Sequence, residues 1–321
     1  MRKIPVALVA LALASVSLVG CSASSGAAAC PRPESSTGAL DKVTVSGTAD
    51  AAPDVEVYSP FRTDQTEFED VITGDGTAIT SDAQLVVFDL TIIGGADGRT
   101  LVASAYDGDL SQVASLERWG QLVPGFSDAL TCATEGSRVV IGLAPGDVET
   151  ETAVSLGLAE DDSAVAVVDV RKVYLPHADG ANQFNSGSGL PTVVRAPDGR
   201  PGIIVPDADA PTELVVQTLK KGDGEEVTGD RPVRVHYTGV TWADRTVFDS
   251  TWDTTPASLT LDGVVPGMAT ALEGATVGSQ LLIVIPPGEG YGDAAQGSIP
   301  ANSTLVFVVD ILGLDQAAPT E

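Results

Sequence analysis

VRVHYTGV (residues 233–240) and TLVFVVDI (residues 304–311) are the two stretches that decide the fold of this chain. Both are rich in β-branched and aromatic residues and are bordered by Gly and Pro turns, which is the pattern of buried β-strands. Three further phrases accompany them, VFDST (247–251), VVPGM (264–268) and GEGYG (288–292), with almost no charge among their aromatic and aliphatic members. The segment therefore predicts a β-rich unit with an apolar pocket rather than a reactive centre.

The order and spacing of these phrases, together with IPANSTLVFVVDIL (299–312), resemble the FKBP-type peptidyl-prolyl cis-trans isomerases between Val235 and Leu314. The resemblance implies an α+β fold, in which a bent antiparallel sheet of five to six strands wraps around one short helix that follows the VPG phrase. The apolar stretches 268–274 and 126–132 are the candidates for this helix, because glycines that can end a helix lie beyond each of them.

By this resemblance, nine residues of the later half are assigned to one site. They are Tyr237, Phe248, Asp249, Val264, Val265, Met268, Tyr291, Ile299 and Phe307. The resemblance implies that aromatic rings wall a proline cage above Met268, that the backbone N–H of Val265 binds a substrate carbonyl, and that Asp249 accepts hydrogen bonds within the pocket. It also implies that the Tyr291 phenol reaches the carbonyl beside the proline and that Ile299 closes over the ligand.

Three positions depart from the family pattern. Met268 stands where a Trp is usual, and because Met is flexible and has less aromatic surface, the cage is expected to hold proline less firmly. Ala257 stands where an aromatic wall residue is common, and Arg245 replaces the usual turn glycine. The sequence leaves open whether Trp252, which lies just before Ala257 in the chain, supplies the missing ring.

The chain repeats itself, since residues 122–146 align without gaps on residues 264–288 with 12 identities in 25 positions. Two tandem FKBP-like units are the economical explanation. The prediction is a degenerate unit at 40–175 and a catalytic unit at 190–315, joined by a linker at 176–189.

Only the later copy keeps the aromatic pocket residues. The alignment pairs Tyr237 with Asp89, Phe248 with Val102, Asp249 with Ala103, Tyr291 with Glu149 and Phe307 with Ala166. The earlier unit is therefore predicted to retain the framework without the isomerase site, although any single pair depends on the alignment.

The N-terminus has the composition of an export signal. Residues 1–20 combine a basic start with a short apolar run and lead into LVGC, which resembles a bacterial lipobox whose cysteine, Cys21, is lipidated. A plain cleaved signal and an uncleaved anchor are the alternatives. Residues 21–39 have the composition of a flexible tether, and residues 316–321 form a short tail. The predicted location is the extracytoplasmic face of a bacterial cell membrane, with a lipid anchor.

Cysteine usage agrees with export. Once Cys21 is assigned to lipid, Cys30 and Cys132 remain as an even pair, and a disulfide between them is predicted to pin the tether to the first unit. Two inert thiols are the alternative. With no CxxC motif, and only His177 and His236 as histidines, the sequence supports neither a metal site nor another cofactor.

Charge excludes one large class of function. The 321 residues include 44 acidic and 17 basic side chains, a formal charge of −27, and no basic cluster lies outside the extreme N-terminus. Because affinity for phosphate backbones depends on basic stripes, nucleic acid is not expected as a partner.

The function predicted from these observations is isomerisation of X-Pro bonds in exported or cell-surface proteins, with unfolded or flexible Pro-containing chains as partners. The resemblance also implies that macrolide inhibitors of the family bind the pocket. The alternative is a non-catalytic chaperone or peptide-binding lipoprotein that uses its two units to clamp clients. A solute-binding transport lipoprotein is disfavoured, because a large two-lobed α/β pattern is lacking.

Overall fold

The structure is a computed structural model and describes residues 30–33, 35, 38–185 and 187–317. The predicted signal peptide, Cys21, most of the tether and most of the tail lie outside the described residues. The fold is rich in β-sheet and has few, short helices. In these ranges, no helix is both long enough and apolar enough to cross a bilayer.

The secondary structure elements are numbered along the chain. The strands are β1 (Val43–Ser46), β2 (Asp54–Val57), β3 (Glu67–Ile72), β4 (Leu85–Gly94), β5 (Thr100–Ala103), β6 (Ala114–Ser115), β7 (Arg138–Leu143), β8 (Ala164–Val173), β9 (Ala181–Asn182), β10 (Thr192–Arg195), β11 (Pro201–Ile204), β12 (Val215–Lys221), β13 (Val233–Thr241), β14 (Val247–Ser250), β15 (Ala257–Leu259), β16 (Gln280–Ile285) and β17 (Leu305–Leu314). The α-helices are α1 (Leu116–Leu122), α2 (Gly125–Leu130), α3 (Thr150–Leu156) and α4 (Pro266–Leu272), and 3-10 helices span Ala39–Lys42, Leu261–Gly263 and Pro287–Glu289. Residues 38–173 are called the N-terminal half below, and residues 174–317 the C-terminal half.

The N-terminal half contains a six-stranded antiparallel sheet in the order β3-β7-β8-β4-β5, with β6 paired to β4. One face packs against the helices through Phe126 and Leu130, and the other face packs against the β1–β2 hairpin through Val140 and Val165. Because both faces are covered, β7 is buried at every residue, and after Arg138 its sequence is a continuous apolar run rather than an alternating one.

The C-terminal half contains a seven-stranded sheet in the order β14-β13-β17-β16-β12-β9, with β15 paired to β13. Met268 and Leu272 of α4 pack on one face, and Val193 and Ile203 of the β10–β11 hairpin pack on the other. Its path β14-β13-β17-β16-β12 has the same arrangement as β5-β4-β8-β7-β3 in the N-terminal half. Each half therefore presents one helix-covered face and one hairpin-covered face.

The segment predicted as a linker, residues 176–189, is partly built into the C-terminal sheet. Its residues 181–182 form β9, which pairs with β12, and the Ala178 N–H donates a hydrogen bond of 2.8 Å to the buried carboxylate of Asp310. The C-terminal sheet therefore has seven strands instead of the predicted five or six. A two-residue strand without a β-branched pattern leaves no signal in the sequence.

The helices also differ from the expectation of one per unit. The predicted helices at 126–132 and 268–274 exist, with bounds one to two residues earlier, as α2 and α4. The N-terminal half adds α1 and α3. Helix α3 begins where the Glu149 side chain accepts the N–H groups of Glu151 and Thr152, and it ends at Gly157, whose φ of 76° is typical of a glycine C-cap.

A disulfide links Cys30 to Cys132. Beside it, the Arg32 guanidinium contacts the Asp70 carboxylate at 2.8 Å and donates to the Thr131 carbonyl at 2.7 Å. The start of the described chain is therefore held on the N-terminal half, next to the C-terminal end of α2.

Tyr174 joins the two halves. Its ring is 1% exposed within an apolar cluster formed by Leu85 and Leu312 from the two sheets, and its hydroxyl donates to Asp315 at 2.7 Å. The ring also lies directly against Gly313, where an added Cβ would be 2.6 Å from a ring carbon. Glycine at position 313 therefore lets the Tyr174 ring pack directly on β17.

Candidate functional site

An open cavity of about 380 Å³ lies beside α4 in the C-terminal half. Its lining residues are Tyr237, Phe248, Asp249, Leu259, Gly263, Val264, Val265, Met268, Tyr291 and Phe307. The structure thus brings together eight of the nine residues assigned from the sequence. Ile299 is the exception, because its side chain is 6% exposed within the apolar core and is not among the lining residues.

Three aromatic rings on adjacent strands form the walls. The Tyr237 and Phe307 ring centroids are 6.0 Å apart at an interplanar angle of 64°, and those of Phe248 and Phe307 are 5.4 Å apart at 83°. Edge-to-face contacts of this kind are favourable and orient the rings. Three neighbouring strands of one sheet, β13, β14 and β17, therefore place the rings on a single face.

Gly239 makes room for two of these rings. It lies opposite Phe307 in the β13–β17 ladder, and a Cβ at this position would be 2.5 Å from a Phe248 ring carbon and 2.8 Å from a Phe307 ring carbon. Any side chain at position 239 would displace both walls. Gly239 is not among the residues predicted from the sequence, although a glycine within a strand pattern is a signal for close packing.

The hydroxyl of Tyr237 is engaged by Asp249, with 2.5 Å between the phenol oxygen and the carboxylate Oδ2. Burial raises the pKa of the Tyr237 phenol well above its usual value, and the hydrogen bond to Asp249 raises it further. The phenol therefore stays protonated at neutral pH and donates to Asp249, so the two side chains form one polar edge of an otherwise apolar cavity.

Helix α4 supplies the floor and one side. Its first residue is Pro266, and the preceding Val265 has extended backbone geometry. Within the described ranges, the Val265 N–H donates no intramolecular hydrogen bond. Met268 is 4% exposed beneath the rings. The cavity therefore combines one free backbone donor with a flexible thioether floor.

Tyr291 occupies the opposite rim. It follows the 3-10 helix Pro287–Glu289, and the turn after it is closed by the Gly292 N–H, which donates to the Pro287 carbonyl at 2.8 Å. The ring is 39% exposed. Its hydroxyl is thus accessible to a bound chain. Leu259 and Gly263, on the segment before α4, also line the cavity, and the sequence analysis missed both.

Trp252 does not supply the missing aromatic wall. Its ring stacks on His236, with the centroids 4.4 Å apart and the planes at 18°. Strand residues alternate between faces, so His236 points away from the cavity that Tyr237 faces. Thr251 connects His236 and Tyr237. Its hydroxyl contacts His236 Nδ1 at 2.9 Å and accepts the Tyr237 N–H at 2.9 Å.

The His236 imidazole is expected to make stability depend on pH. Burial, and to a smaller extent the nearby Arg200 guanidinium, lower its pKa to about 4. An unfolded chain binds this proton near pH 6.5, so the stabilising contribution is full above about pH 6.5 and falls as the pH drops towards 4.

Urea unfolding at pH 7 and pH 5 tests this expectation. The intact chain should lose more unfolding free energy between the two pH values than a His236→Gln variant, whereas His177→Gln should behave like the intact chain. Equal losses for the intact chain and for His236→Gln would show that other groups carry the pH dependence.

The strand registers correct the alignment of the two halves. Tyr237 lies opposite Val309 in the C-terminal sheet, and Leu90 lies opposite the corresponding Val168 in the N-terminal sheet. The pairing of Tyr237 with Asp89 is therefore wrong by one residue. Gly74 and Gly222 hold equivalent positions, because their N–H groups donate to Ser137 and Ser279. The N-terminal half has one more residue between this glycine and the position matched with Tyr237, and an alignment without gaps cannot accommodate it.

The pairing on the next strand is also wrong by one residue, but in the opposite direction. The registers of β14 and β5 match Phe248 with Leu101 and Asp249 with Val102, rather than with Val102 and Ala103. The reason is that the β4–β5 and β13–β14 hairpins are equally long, so once Tyr237 is matched with Leu90 no length difference remains between the two strands.

Aliphatic side chains fill the equivalent region of the N-terminal half. Ile92, 2% exposed, takes the position of Gly239, and Ala166, 0% exposed, takes that of Phe307. Both belong to the apolar core, and Leu101 packs against it. The side chain of Ile92 occupies the space that glycine leaves open, so two facing rings cannot be accommodated there.

Comparison with known proteins identifies the family. Residues 223–312 match the family model of the FKBP-type peptidyl-prolyl cis-trans isomerase. A probable FK506-binding protein of Corynebacterium glutamicum is 34% identical over 114 residues, which cover 35% of this chain and 97% of that protein. FKBP15-3 of Arabidopsis thaliana is 37% identical over 113 residues, covering 34% of this chain and 77% of its own length. The chain belongs to the FKBP-type peptidyl-prolyl cis-trans isomerase family and is an isomerase of this type.

Other relatives are matched over a smaller share of their length. FkpA of Escherichia coli is 40% identical over 107 residues, which are 33% of this chain and 39% of that protein. The crystal structure of the same protein aligns with a TM-score of 0.32 at 33% identity, covering 42% of this chain and 55% of that one. The chain therefore spans about two fifths of the length of FkpA.

Proposed function

We propose that the aromatic cavity of the C-terminal half is the site of prolyl isomerisation, and that the N-terminal half is a related copy without this site. The observation that carries the proposal is the meeting of Tyr237, Phe248 and Phe307 over Met268 in one cavity. The matching strand order of the two sheets supports the tandem relationship.

The chemistry of the reaction suits this site. The peptide C–N bond has partial double-bond character, with a rotation barrier of about 18–20 kcal/mol, and before proline the two isomers are close in energy. In the twisted transition state the carbonyl loses conjugation with nitrogen, so the amide becomes less polar. An apolar cavity favours this state relative to water, which solvates the planar amide better. Aromatic walls can therefore lower the barrier without a nucleophile.

Polar groups at the edges supply orientation. The free N–H of Val265 can donate to a substrate carbonyl, and the exposed Tyr291 phenol can donate to the carbonyl beside the proline as it rotates. The Tyr237 phenol is already bound to Asp249, so its role is to hold that carboxylate at the cavity edge. Met268 offers a smaller aromatic contact than a Trp floor, and this favours weak retention of proline. Macrolide inhibitors of the family should occupy the same cavity.

The proposed substrates are unfolded or flexible Pro-containing chains of exported or cell-surface proteins. The lipobox-like LVGC sequence and the cysteine pair support this location. The disulfide between Cys30 and Cys132 suits an oxidising compartment, since such bonds persist there and are rare in reducing ones.

Loss of one aromatic wall should lower isomerase activity of the full chain. In Phe248→Ala the cavity gains water and loses its edge-to-face partner, so kcat/KM for an X-Pro reporter peptide should fall about tenfold, equivalent to roughly 1.4 kcal/mol. Phe248→Tyr, which keeps the ring, should retain most of the activity. Leu101→Ala is the matched control, because Leu101 holds the equivalent position in the N-terminal half. A similar loss in Leu101→Ala would instead place catalysis in the N-terminal half.

Replacement of the predicted lipidated residue tests the anchor. Cys21→Ala should release the protein from membranes into the soluble fraction, whereas the intact chain should remain with the membrane after a salt wash. Continued membrane retention of Cys21→Ala would instead support an uncleaved apolar segment.

A non-catalytic chaperone is the second candidate. The departures at Met268 and Ala257 favour it, because both remove aromatic surface from the cavity. The reporter assay separates the two functions: a full chain that suppresses client aggregation but does not accelerate X-Pro isomerisation would support the chaperone.

A further inference from the structure

A second cavity, in the N-terminal half, has no counterpart in the isomerase site. It measures about 280 Å³ and lies along α3, and we call it the α3 groove. Leu143, Val148, Ala153, Val154 and Leu158 supply its apolar lining. Its volume is close to the lower limit of known ligand cavities, about 300 Å³, so it can hold a few side chains rather than a folded partner.

The α3 groove exists because the two halves differ after β7 and β16. In the C-terminal half, the chain turns through a 3-10 helix and presents Tyr291 to the proline cavity. In the N-terminal half, α3 replaces that turn, and Ala153 and Leu156 pack on the apolar core. Val154, on the same helix, is 71% exposed. The helix that closes one side of the core therefore leaves an apolar strip open to solvent.

Carboxylates border this strip. Glu160 and Asp162 line the groove, and Glu151 and Asp161 are exposed neighbours along the chain. Asp162 accepts the Ala159 N–H. Among the described residues, none of these four acids forms a salt bridge.

One cation is close to this border. The Arg99 guanidinium approaches Gly157, at 3.9 Å from the site of an added Cβ. A single arginine leaves the border acidic, and the whole chain carries a formal charge of −27.

We propose that the α3 groove binds an extended segment of a non-native client chain, in which one or a few apolar residues are flanked by Lys or Arg. The apolar residues would contact Val154, Leu158 and Ala153, and the basic residues would face Glu160 and Asp161. Opposite charges around an apolar contact speed association and select the partner. A second copy of this chain fits poorly, because its acidic border would face the same acidic border.

Binding of a proline-free peptide to the full chain tests the proposal independently of isomerase activity. The probe is a fluorescein-labelled peptide with a Leu-Val core flanked by lysines, and the matched peptide carries glutamates instead. Fluorescence anisotropy should show saturable binding of the lysine peptide that weakens with added salt. The glutamate peptide should bind at least tenfold more weakly.

Variants locate the contact. Val154→Asp should weaken binding of the lysine peptide at least tenfold and leave X-Pro isomerisation unchanged. Val216→Asp, at a valine of β12 that is 41% exposed, is the matched control and should bind normally. Glu160→Gln with Asp161→Asn should reduce both affinity and salt dependence, whereas the charge-matched pair Asp75→Asn with Asp244→Asn should not.

Four results would overturn the proposal: no binding of the lysine peptide, equal binding of both peptides, equal binding by Val154→Asp and the intact chain, or loss of a self-associated species in Val154→Asp on size-exclusion chromatography. The last result would assign the groove to contacts between copies. An intact chain that binds the lysine peptide but does not accelerate X-Pro isomerisation would instead count against the proline cavity. The two proposals therefore fail separately.

Discussion

Replacing Gly239 with valine should lower kcat/KM for an X-Pro peptide about 10- to 100-fold while the fold is retained. Even a Cβ at this position would be 2.5 Å from a Phe248 ring carbon and 2.8 Å from a Phe307 ring carbon, so both walls must move. Overpacking of this kind costs about 1–3 kcal/mol. Each 1.36 kcal/mol lost from transition-state binding is a factor of about ten in rate. Stopped-flow measurement with a reporter peptide gives the effect.

Gly288→Ala is the matched control for this prediction. Gly288 lies in the 3-10 helix before Tyr291, and a Cβ added there meets no atom within 4 Å. This variant should keep near-normal activity, and circular dichroism should be unchanged in both variants. If Gly239→Val were as active as Gly288→Ala, the aromatic cage would not be the reaction site.

A fragment that begins at residue 190 should be much less stable than one that begins at residue 175. The shorter fragment lacks β9, the hydrogen bond from the Leu175 N–H to the Leu312 carbonyl, and the Ala178 N–H that donates to Asp310. Asp310 is 1% exposed, and leaving a buried acceptor without its donor costs roughly 1–3 kcal/mol. With the lost backbone bonds, the difference should be about 3–5 kcal/mol, which is a large part of the stability of a typical domain.

Urea unfolding of fragments 175–317 and 190–317 measures this difference. Asp310→Asn provides the internal control, because a neutral amide is cheaper to leave without its donor than a carboxylate. The substitution should destabilise the longer fragment more than the shorter one. Equal urea midpoints for the two unsubstituted fragments would support the predicted domain start at residue 190.

Much of the C-terminal site could be predicted because local rules of strands and helix starts fix the positions of its residues. Strand alternation places Tyr237 and Gly239 on one face, and a Pro at the first position of α4 fixes where Val265 and Met268 stand. The role of Ile299 stays a prediction, because its side chain is buried and its N–H and carbonyl both bond to Gln296. A resemblance assigns a residue to a loop, but the packing of that loop decides which way the side chain faces.

The N-terminal half was harder to predict, because small changes in length have large structural effects there. One extra residue before β4 shifts the match by one position, and in a strand that moves a side chain to the opposite face. The stretch that forms α3 matches no phrase of the isomerase unit, so the expectation of one short helix per unit did not include it. The sequence also left the role of Trp252 open, because its stacking partner, His236, is distant in sequence.

The wedge formed by Tyr174 between the two sheets has a consequence for how a long polypeptide engages this protein. Because Tyr174 packs against Leu85 of one sheet and Leu312 of the other, the distance from the proline cavity to the N-terminal half is set by packing and not by a pliable tether. A chain that touches both places must therefore carry its proline at a matching separation from the other contact. Spacing within the polypeptide, in addition to the residue before proline, becomes a criterion by which one partner is preferred over another.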